Sequence, residues 1–225
     1  MSGKLYIVAT PIGNLGDITL RAVATLKAVD RIVAEDTRVT AKLLQRYEIK
    51  KPMISLRARS TRRDFEQVAR RVEKGESLAY VTDAGTPGIS DPGPLLVSLV
   101  RELCGEKSVV PIPGPSALTS ALSVAGLPSS EFVFLGFLPH KKGRQKALDH
   151  IANEERTVVL YESSHRIKKL FGELMLRVPD RAVVLAHEMT KMHEHVVAGT
   201  VEELKKRLEE DIPPLGEFVV ILGPC

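Results

Sequence analysis

The sequence predicts an α/β protein built as two α/β domains, residues 1–113 and 114–225. Three observations carry that expectation. Short apolar runs alternate with amphipathic stretches five times in the first half, the pattern of a parallel sheet with crossover helices. A proline-glycine-proline punctuation follows, at Pro113-Gly114-Pro115. The second half then offers further strands, the last of them joined by short links, which points to a mixed rather than a fully parallel sheet.

Taken in order, residues 4–9 form a strand candidate ended by the turn residues Thr10-Pro11-Ile12-Gly13-Asn14-Leu15-Gly16. Asp17 is placed to cap a helix whose Leu20, Val23 and Ala24 share a face. A strand at 31–34, a helix over 39–47 and a strand at 53–56 follow. Ser60 or Thr61 can cap the next helix, which buries Phe65, Val68, Ala69 and Val72 and stops at Gly75. The run Leu78-Ala79-Tyr80-Val81 reads as a buried strand, and residues 94–104 as a helix with proline at its first position. A fifth strand is expected at 108–112 and a small-residue helix at 116–125. Second-half strands are expected at 132–135, 157–161, 182–187, 195–198 and 217–222. A helix beginning near Ser164 would bury Ile167, Leu170, Phe171, Leu174 and Met175, and Thr200 with Glu203 has the spacing of a capping box.

Composition narrows the function classes. At 225 residues with 44% hydrophobic and 27% charged side chains, the chain can bury a substantial core. It has no apolar run long enough to span a bilayer and no signal-peptide pattern, so a cytoplasmic protein without membrane association is expected. Two cysteines, Cys104 and Cys225, do not make a disulfide framework. The net charge of +4 is unevenly spread. Between Arg38 and Arg63 lie Lys42, Arg46, Lys50, Lys51, Arg57, Arg59 and Arg62, opposed only by Glu48, and a second cluster is Lys141, Lys142, Arg144 and Lys146. Such clusters serve either as a solvated surface or as a footprint for a polyanion such as RNA. Aromatic residues make up 4%, too few for a platform of stacked bases.

The glycine-rich stretch from Val81 to Gly93, at the carboxyl end of a buried strand, stands where open α/β sheets hold ligands. It is not a P-loop, because Ile89-Ser90 follows Gly88 and Pro94 follows Gly93, where a lysine and a hydroxyl residue are required. A loop closing its backbone on an uncharged or cationic ligand fits better, with Asp83 accepting a bond from a ribose or an amine; the plainer alternative is a turn in which Asp83 caps its own loop. His193 and His195 could share a strand face, but they lack a companion carboxylate or cysteine pattern, so no metal is expected. The polar clusters Glu35-Asp36-Thr37-Arg38 and Tyr161-Glu162-Ser163-Ser164-His165-Arg166 also fall at expected strand ends.

The first-loop sequence Thr10-Pro11-Ile12-Gly13-Asn14-Leu15-Gly16-Asp17-Ile18-Thr19-Leu20-Arg21-Ala22, the 35–38 cluster, the Asp83 loop and Pro113-Gly114-Pro115-Ser116-Ala117 occur in an order and spacing that resemble the ribosomal RNA small subunit methyltransferase I family, of the tetrapyrrole methylase superfamily. The Tyr161 cluster and Glu188-Met189-Thr190-Lys191 extend the likeness over nearly the whole chain. The resemblance implies two domains of the tetrapyrrole-methylase type, S-adenosyl-L-methionine in a cleft between them, and a homodimer. It implies 2′-O-methylation of a cytidine in the decoding region of 16S ribosomal RNA, with the small ribosomal subunit as partner. Carried onto this sequence, the cofactor residues would be Pro11, Asp83, Ala84, Gly85, Gly88, Ser116, Ala117, Tyr161, Met189 and Gly216. Ser164 stands where the family often has proline, and the basic extension seen in many members has no counterpart after Gly223-Pro224-Cys225. RNA contacts are therefore expected from Arg38, Arg57, Arg59, Arg62, Arg63, Lys141, Lys142, Arg144 and Arg166. Because a ribose hydroxyl is a poor nucleophile, a base is useful, and Lys191, Glu188 and Asp36 are the candidates. The rivals are a corrin or porphyrin C-methyltransferase, a diphthamide-pathway methyltransferase and a non-enzymatic RNA-binding protein.

Overall fold

The computed structural model describes residues 2–210 and 216–225. The chain divides between Ser116 and Ala117 into two compact units, each with its own sheet.

In the first unit the strands are β1 (Leu5–Val8), β2 (Arg31–Ala34), β3 (Met53–Ser55), β4 (Leu78–Val81) and β5 (Val109–Ile112). They are all parallel, in the order β3-β2-β4-β1-β5, so β4 is the central strand. The helices between them are α1 (Leu20–Ala28), α2 (Thr37–Arg46), α3 (Arg62–Glu73) and α4 (Gly93–Cys104). Alternation along β4 explains the double layer. Leu78 and Tyr80 enter a core with Phe65, Val68, Val72, Leu96 and Val100 from α3 and α4. Ala79 and Val81 point into the opposite core with Ala22, Leu26 and Leu44 from α1 and α2. A strand covered on both faces must be continuously apolar, as Leu-Ala-Tyr-Val is.

Local chemistry sets the helix ends. Thr61, rather than Ser60, closes a reciprocal capping box with Asp64. The cap of α1 is Thr19, not Asp17: the Ala22 amide donates to its hydroxyl, while Asp17 belongs to a short 3-10 turn held by the Asn14 side chain. Helix α2 starts two residues earlier than the apolar pattern indicates, because Asp36 caps it. Pro94 is the second rather than the first residue of α4, a position whose N–H has no intrahelical partner in any case.

The second unit contains α5 (Ala117–Ala125), β6 (Phe132–Phe137), α6 (Arg144–Ala152), β7 (Thr157–Ser163), α7 (Ser164–Met175), β8 (Ala182–His187), β9 (His195–Thr200), α8 (Val201–Glu210) and β10 (Glu217–Leu222). Its strand order is β6-β7-β10-β8-β9; β6 and β7 are parallel and the remaining pairs antiparallel. Leu148, Ile167, Leu170, Phe171, Leu204 and Leu208 cover one face of this sheet, and Leu118, Ala121 and Ala125 of α5 cover the other. The Thr200–Glu203 capping box is formed at the start of α8. Helix α6 was not expected from the sequence. Its first residue is a buried arginine, which obscures the apolar spacing of Leu148 and Ile151.

Candidate functional site

The carboxyl ends of the parallel strands in the first unit carry its clustered polar residues. After β1, Thr10 pairs with Gly85 by reciprocal backbone bonds of 2.9 and 3.0 Å, and the Thr10 hydroxyl donates to the Thr82 carbonyl at 3.2 Å. The Thr86 hydroxyl donates to the Pro115 carbonyl at 2.9 Å. The first loop, the glycine-rich loop and the proline-rich linker are thereby fastened at one edge of the sheet, with Pro11 and Ser116 buried there.

Asp91 holds the glycine-rich loop in shape. Its carboxylate accepts from the amides of Gly88 at 2.6 Å, Ile89 at 3.0 Å and Gly93 at 2.7 Å. Asp83 and Ala84 are exposed at the other end of the loop, Gly85 is buried, and Gly88 is exposed with a φ of +96°. No atom lies within 4 Å of where a Cβ on Gly88 would project, so its backbone is open to an approaching group.

The ends of β2 and β4 are tied by a carboxylate. The Asp83 Oδ1 accepts from the Asp36 amide at 2.9 Å. Burial, with the negative charges of Asp83 and Asp91, pushes the Glu35 carboxyl above its usual range. Its neighbour Asp36 is in the opposite condition. Side-chain and backbone hydrogen bonds from Arg38 hold its carboxyl well below the usual range. The Tyr80 hydroxyl is buried beneath these carboxylates, and burial together with the charge of Asp91 pushes it far up.

In the second unit a parallel set of connections gathers the ends of β7, β8 and β10. The Ser164 amide donates to the Gly216 carbonyl at 3.2 Å, and the Glu188 amide to that of Glu217 at 3.1 Å. Tyr161 stacks edge-on against Phe134 at 4.9 Å. Ala117, Tyr161 and Met189 all pack on the same apolar cluster. Glu188 and Thr190, on either side of Met189, adopt φ values of 51° and 63°, an unfavourable region for a β-branched residue such as Thr190. The Glu188 side chain lies across Gly216, whose φ of +82° favours glycine.

Lys191 donates to Glu188 at 2.8 Å and stands 3.8 Å from Glu217. Burial pushes the Glu188 carboxyl up, but the bonds from Lys191 and from the Glu217 amide outweigh it and hold the group below its ordinary value. Lys191 and Glu188 are therefore engaged with each other, as Asp36 is with Arg38.

The basic residues divide into two sorts. Arg38, Arg57, Arg59, Arg62, Arg63, Lys141 and Lys142 are exposed. Arg144 and Arg166 are not surface cations. Arg144 is 3% exposed, grips Glu173 at 2.6 Å, donates to the Pro139 carbonyl and stands 4.0 Å from Glu162. Arg166 contacts Glu162 at 3.1 Å and donates to the Leu138 carbonyl. Glu162 is fully buried between them. These two arginines are withdrawn from any polyanion surface by the cost of leaving Glu162 buried without a counter-charge. His193 and His195 are exposed, and His187 is buried in a stack against Phe218 at 4.2 Å.

Comparison with known proteins gives this arrangement a context. A family model described as tetrapyrrole (corrin/porphyrin) methylases matches residues 4–205. The ribosomal RNA small subunit methyltransferase I of Thermotoga maritima is 46% identical over 222 residues, covering 98% of this chain and 98% of that protein. The proteins of the same name from Xylella fastidiosa and Escherichia coli O157:H7 are 48% and 47% identical, covering 98% of this chain and 81% and 77% of their own lengths. Among solved structures, the methyltransferase CobJ superposes with a TM-score of 0.71 at 18% identity, covering 100% of this chain and 95% of that one. The cobalt precorrin-4 methyltransferase CbiF superposes with a TM-score of 0.68 at 19% identity, covering 98% and 94%. The structural likenesses, at under 20% identity, show the fold. The chain belongs to the tetrapyrrole (corrin/porphyrin) methylase family and, within it, to the ribosomal RNA small subunit methyltransferase I family.

Proposed function

We propose that the protein is an S-adenosylmethionine-dependent methyltransferase of 16S ribosomal RNA that methylates the 2′-hydroxyl of a cytidine in the decoding region. The carrying observation is a pre-shaped, glycine-rich loop at the carboxyl end of the central strand, with an open backbone at Gly88, in a chain 46–48% identical to proteins named ribosomal RNA small subunit methyltransferase I. The loop suits S-adenosylmethionine in two respects. Asp83 offers a carboxylate at the exposed end of the loop, and Gly88 allows a ligand to approach main-chain groups directly. When bound, the cofactor supplies an activated methyl group.

The chain's own residues position and desolvate. In the first unit the cofactor is assigned to Pro11, Asp83, Ala84, Gly85, Gly88 and Ser116. In the second it is assigned to Ala117, Tyr161, Met189 and Gly216. Asp91 keeps the loop amides in place. RNA is assigned to the exposed cations Arg38, Arg57, Arg59, Arg62, Arg63, Lys141 and Lys142. The two units act as the two domains of one enzyme, which works as a cytoplasmic homodimer. No helix among the described residues is long and apolar enough to cross a membrane.

A corrin or porphyrin C-methyltransferase is the second reading, favoured by the superposition on CobJ. The difference between 18% and 46% identity decides against it. Two measurements test the proposal. S-adenosylmethionine at a hundred times its Kd should stabilise the protein by about 2.7 kcal/mol. Labelled methyl groups should then pass to ribosomal RNA and not to a tetrapyrrole. No stabilisation, or transfer to a tetrapyrrole only, overturns the proposal.

A further inference from the structure

We propose that Glu35 is the proton acceptor for the attacking ribose hydroxyl, in place of Lys191, Glu188 or Asp36. The inference rests on the reading of the protein as a ribose methyltransferase and adds a residue that reading does not name.

Geometry separates the four candidates. The Asp36 carboxylate caps α2 and is bound in a fork by Arg38, with contacts to Nε at 3.0 Å and to the backbone amide at 2.8 Å. Proton transfer to it would sacrifice both the cap and the ion pair. Glu188 and Lys191 neutralise each other at 2.8 Å, and Glu188 also holds the Glu217 amide. Glu35 is the candidate whose carboxyl has no ion pair with a lysine, arginine or histidine among the described residues.

Position supports the same residue. Glu35 directly follows β2, beside the end of the central strand β4, and is half-buried rather than sealed. The next residue, Asp36, donates its amide to Asp83, the exposed carboxylate of the glycine-rich loop, at 2.9 Å. The charged and titratable groups around it are Asp83 and Asp91 from the loop after β4, Tyr80 from β4 itself, and Asp36 and Arg38 at the start of α2. Arg38 is bound to Asp36, so the immediate field at Glu35 is negative. A carboxylate in a negative, partly desolvated setting is a better proton acceptor than one bound to a guanidinium.

The step balances with no further reactant. The ribose oxygen bonds to the methyl carbon as the carbon–sulfur bond breaks, and the sulfur keeps that electron pair. The hydroxyl proton passes to a Glu35 carboxylate oxygen, which later releases it to water.

The test compares Glu35→Gln and Glu35→Asp with the wild-type protein in three measurements. These are methyl transfer to small ribosomal subunits across pH, S-adenosylmethionine affinity by calorimetry, and melting temperature across pH. Glu35→Gln should lower kcat by about a hundredfold or more, abolish the acidic limb of the rate profile, and leave cofactor affinity within about twofold of wild type. Glu35→Asp should retain partial activity and the acidic limb. Independently of activity, Glu35→Gln should melt higher than wild type at neutral pH, with the difference vanishing in acid, because the amide has no charge to desolvate. Transfer by Glu35→Gln at the wild-type rate, or an unchanged acidic limb, overturns the inference alone. Absence of any transfer by the wild-type protein overturns the parent reading and this inference with it.

Discussion

Replacing Asp91 by asparagine isolates the device that shapes the glycine-rich loop. The carboxylate accepts three backbone amides, with Gly88 and Ile89 on one oxygen and Gly93 on the other. Asparagine keeps one accepting oxygen. In its better orientation it retains Gly88 and Ile89 and turns an NH2 group toward the Gly93 N–H. A hydrogen bond to a charged group contributes about 1.5–3 kcal/mol, so the loss is about 2 kcal/mol. For a chain of this size that corresponds to a fall in Tm of about 4–8 °C. Loss of the Gly93 anchor loosens the loop that carries Gly88, so the affinity for S-adenosylmethionine should fall about tenfold if some 1.4 kcal/mol of ordering moves to the binding step. Differential scanning calorimetry and isothermal titration read the two effects separately. An Asp91→Asn protein with wild-type Tm and wild-type Kd would refute the view that this carboxylate organises the loop.

Three further perturbations address other parts of the account. Glu162→Gln leaves Arg144 and Arg166 buried without their shared counter-charge and should destabilise by about 3–5 kcal/mol in a denaturant titration; a change below 1 kcal/mol would mean the cluster is effectively hydrated. Neutralising Arg57, Arg59, Arg62 or Arg63 should weaken RNA binding similarly for all sequences and lower the salt dependence of log K by about 0.7–0.9 per lost phosphate contact, whereas an unchanged slope would remove that residue from the RNA surface. Glu188 is held below its ordinary pKa, so its contribution to stability is present above the unfolded-state value and is lost as pH falls through the depressed one. Lys191→Ala should therefore flatten the acid limb of the stability curve, and an equally steep limb in the variant would contradict the pairing.

The architecture was legible in the sequence where periodicity and punctuation agree. The continuous apolar run of β4 announces a strand covered on both faces, and the five strand–helix alternations lead to the parallel sheet. The short link between β8 and β9 gives their antiparallel pairing, whereas β10 pairs with β8 only after the chain has passed through β9 and α8. Helix α6 was hidden because Arg144, read as a surface cation, is a buried partner of Glu173 and Glu162. Charge spacing in a sequence does not reveal whether a guanidinium faces water or a carboxylate. The glycine-rich loop was legible as an irregular turn after a buried strand, but its fastening by Asp91 was not, since an Asx-type bond to nearby amides depends on loop conformation. The contrast between Glu35 and Asp36 was equally invisible. Adjacent carboxylates look alike in sequence, and only the fold directs Asp36 to Arg38 while Glu35 has no ion pair among the described residues.

The most direct test of the central claim is to incubate small ribosomal subunits lacking native ribose methylation with the protein and methyl-labelled S-adenosylmethionine, and then to map the label along the 16S RNA. The account predicts a single 2′-O-methylated cytidine in the decoding region. Label on a base, label outside the decoding region, or no label in the RNA at all would contradict it.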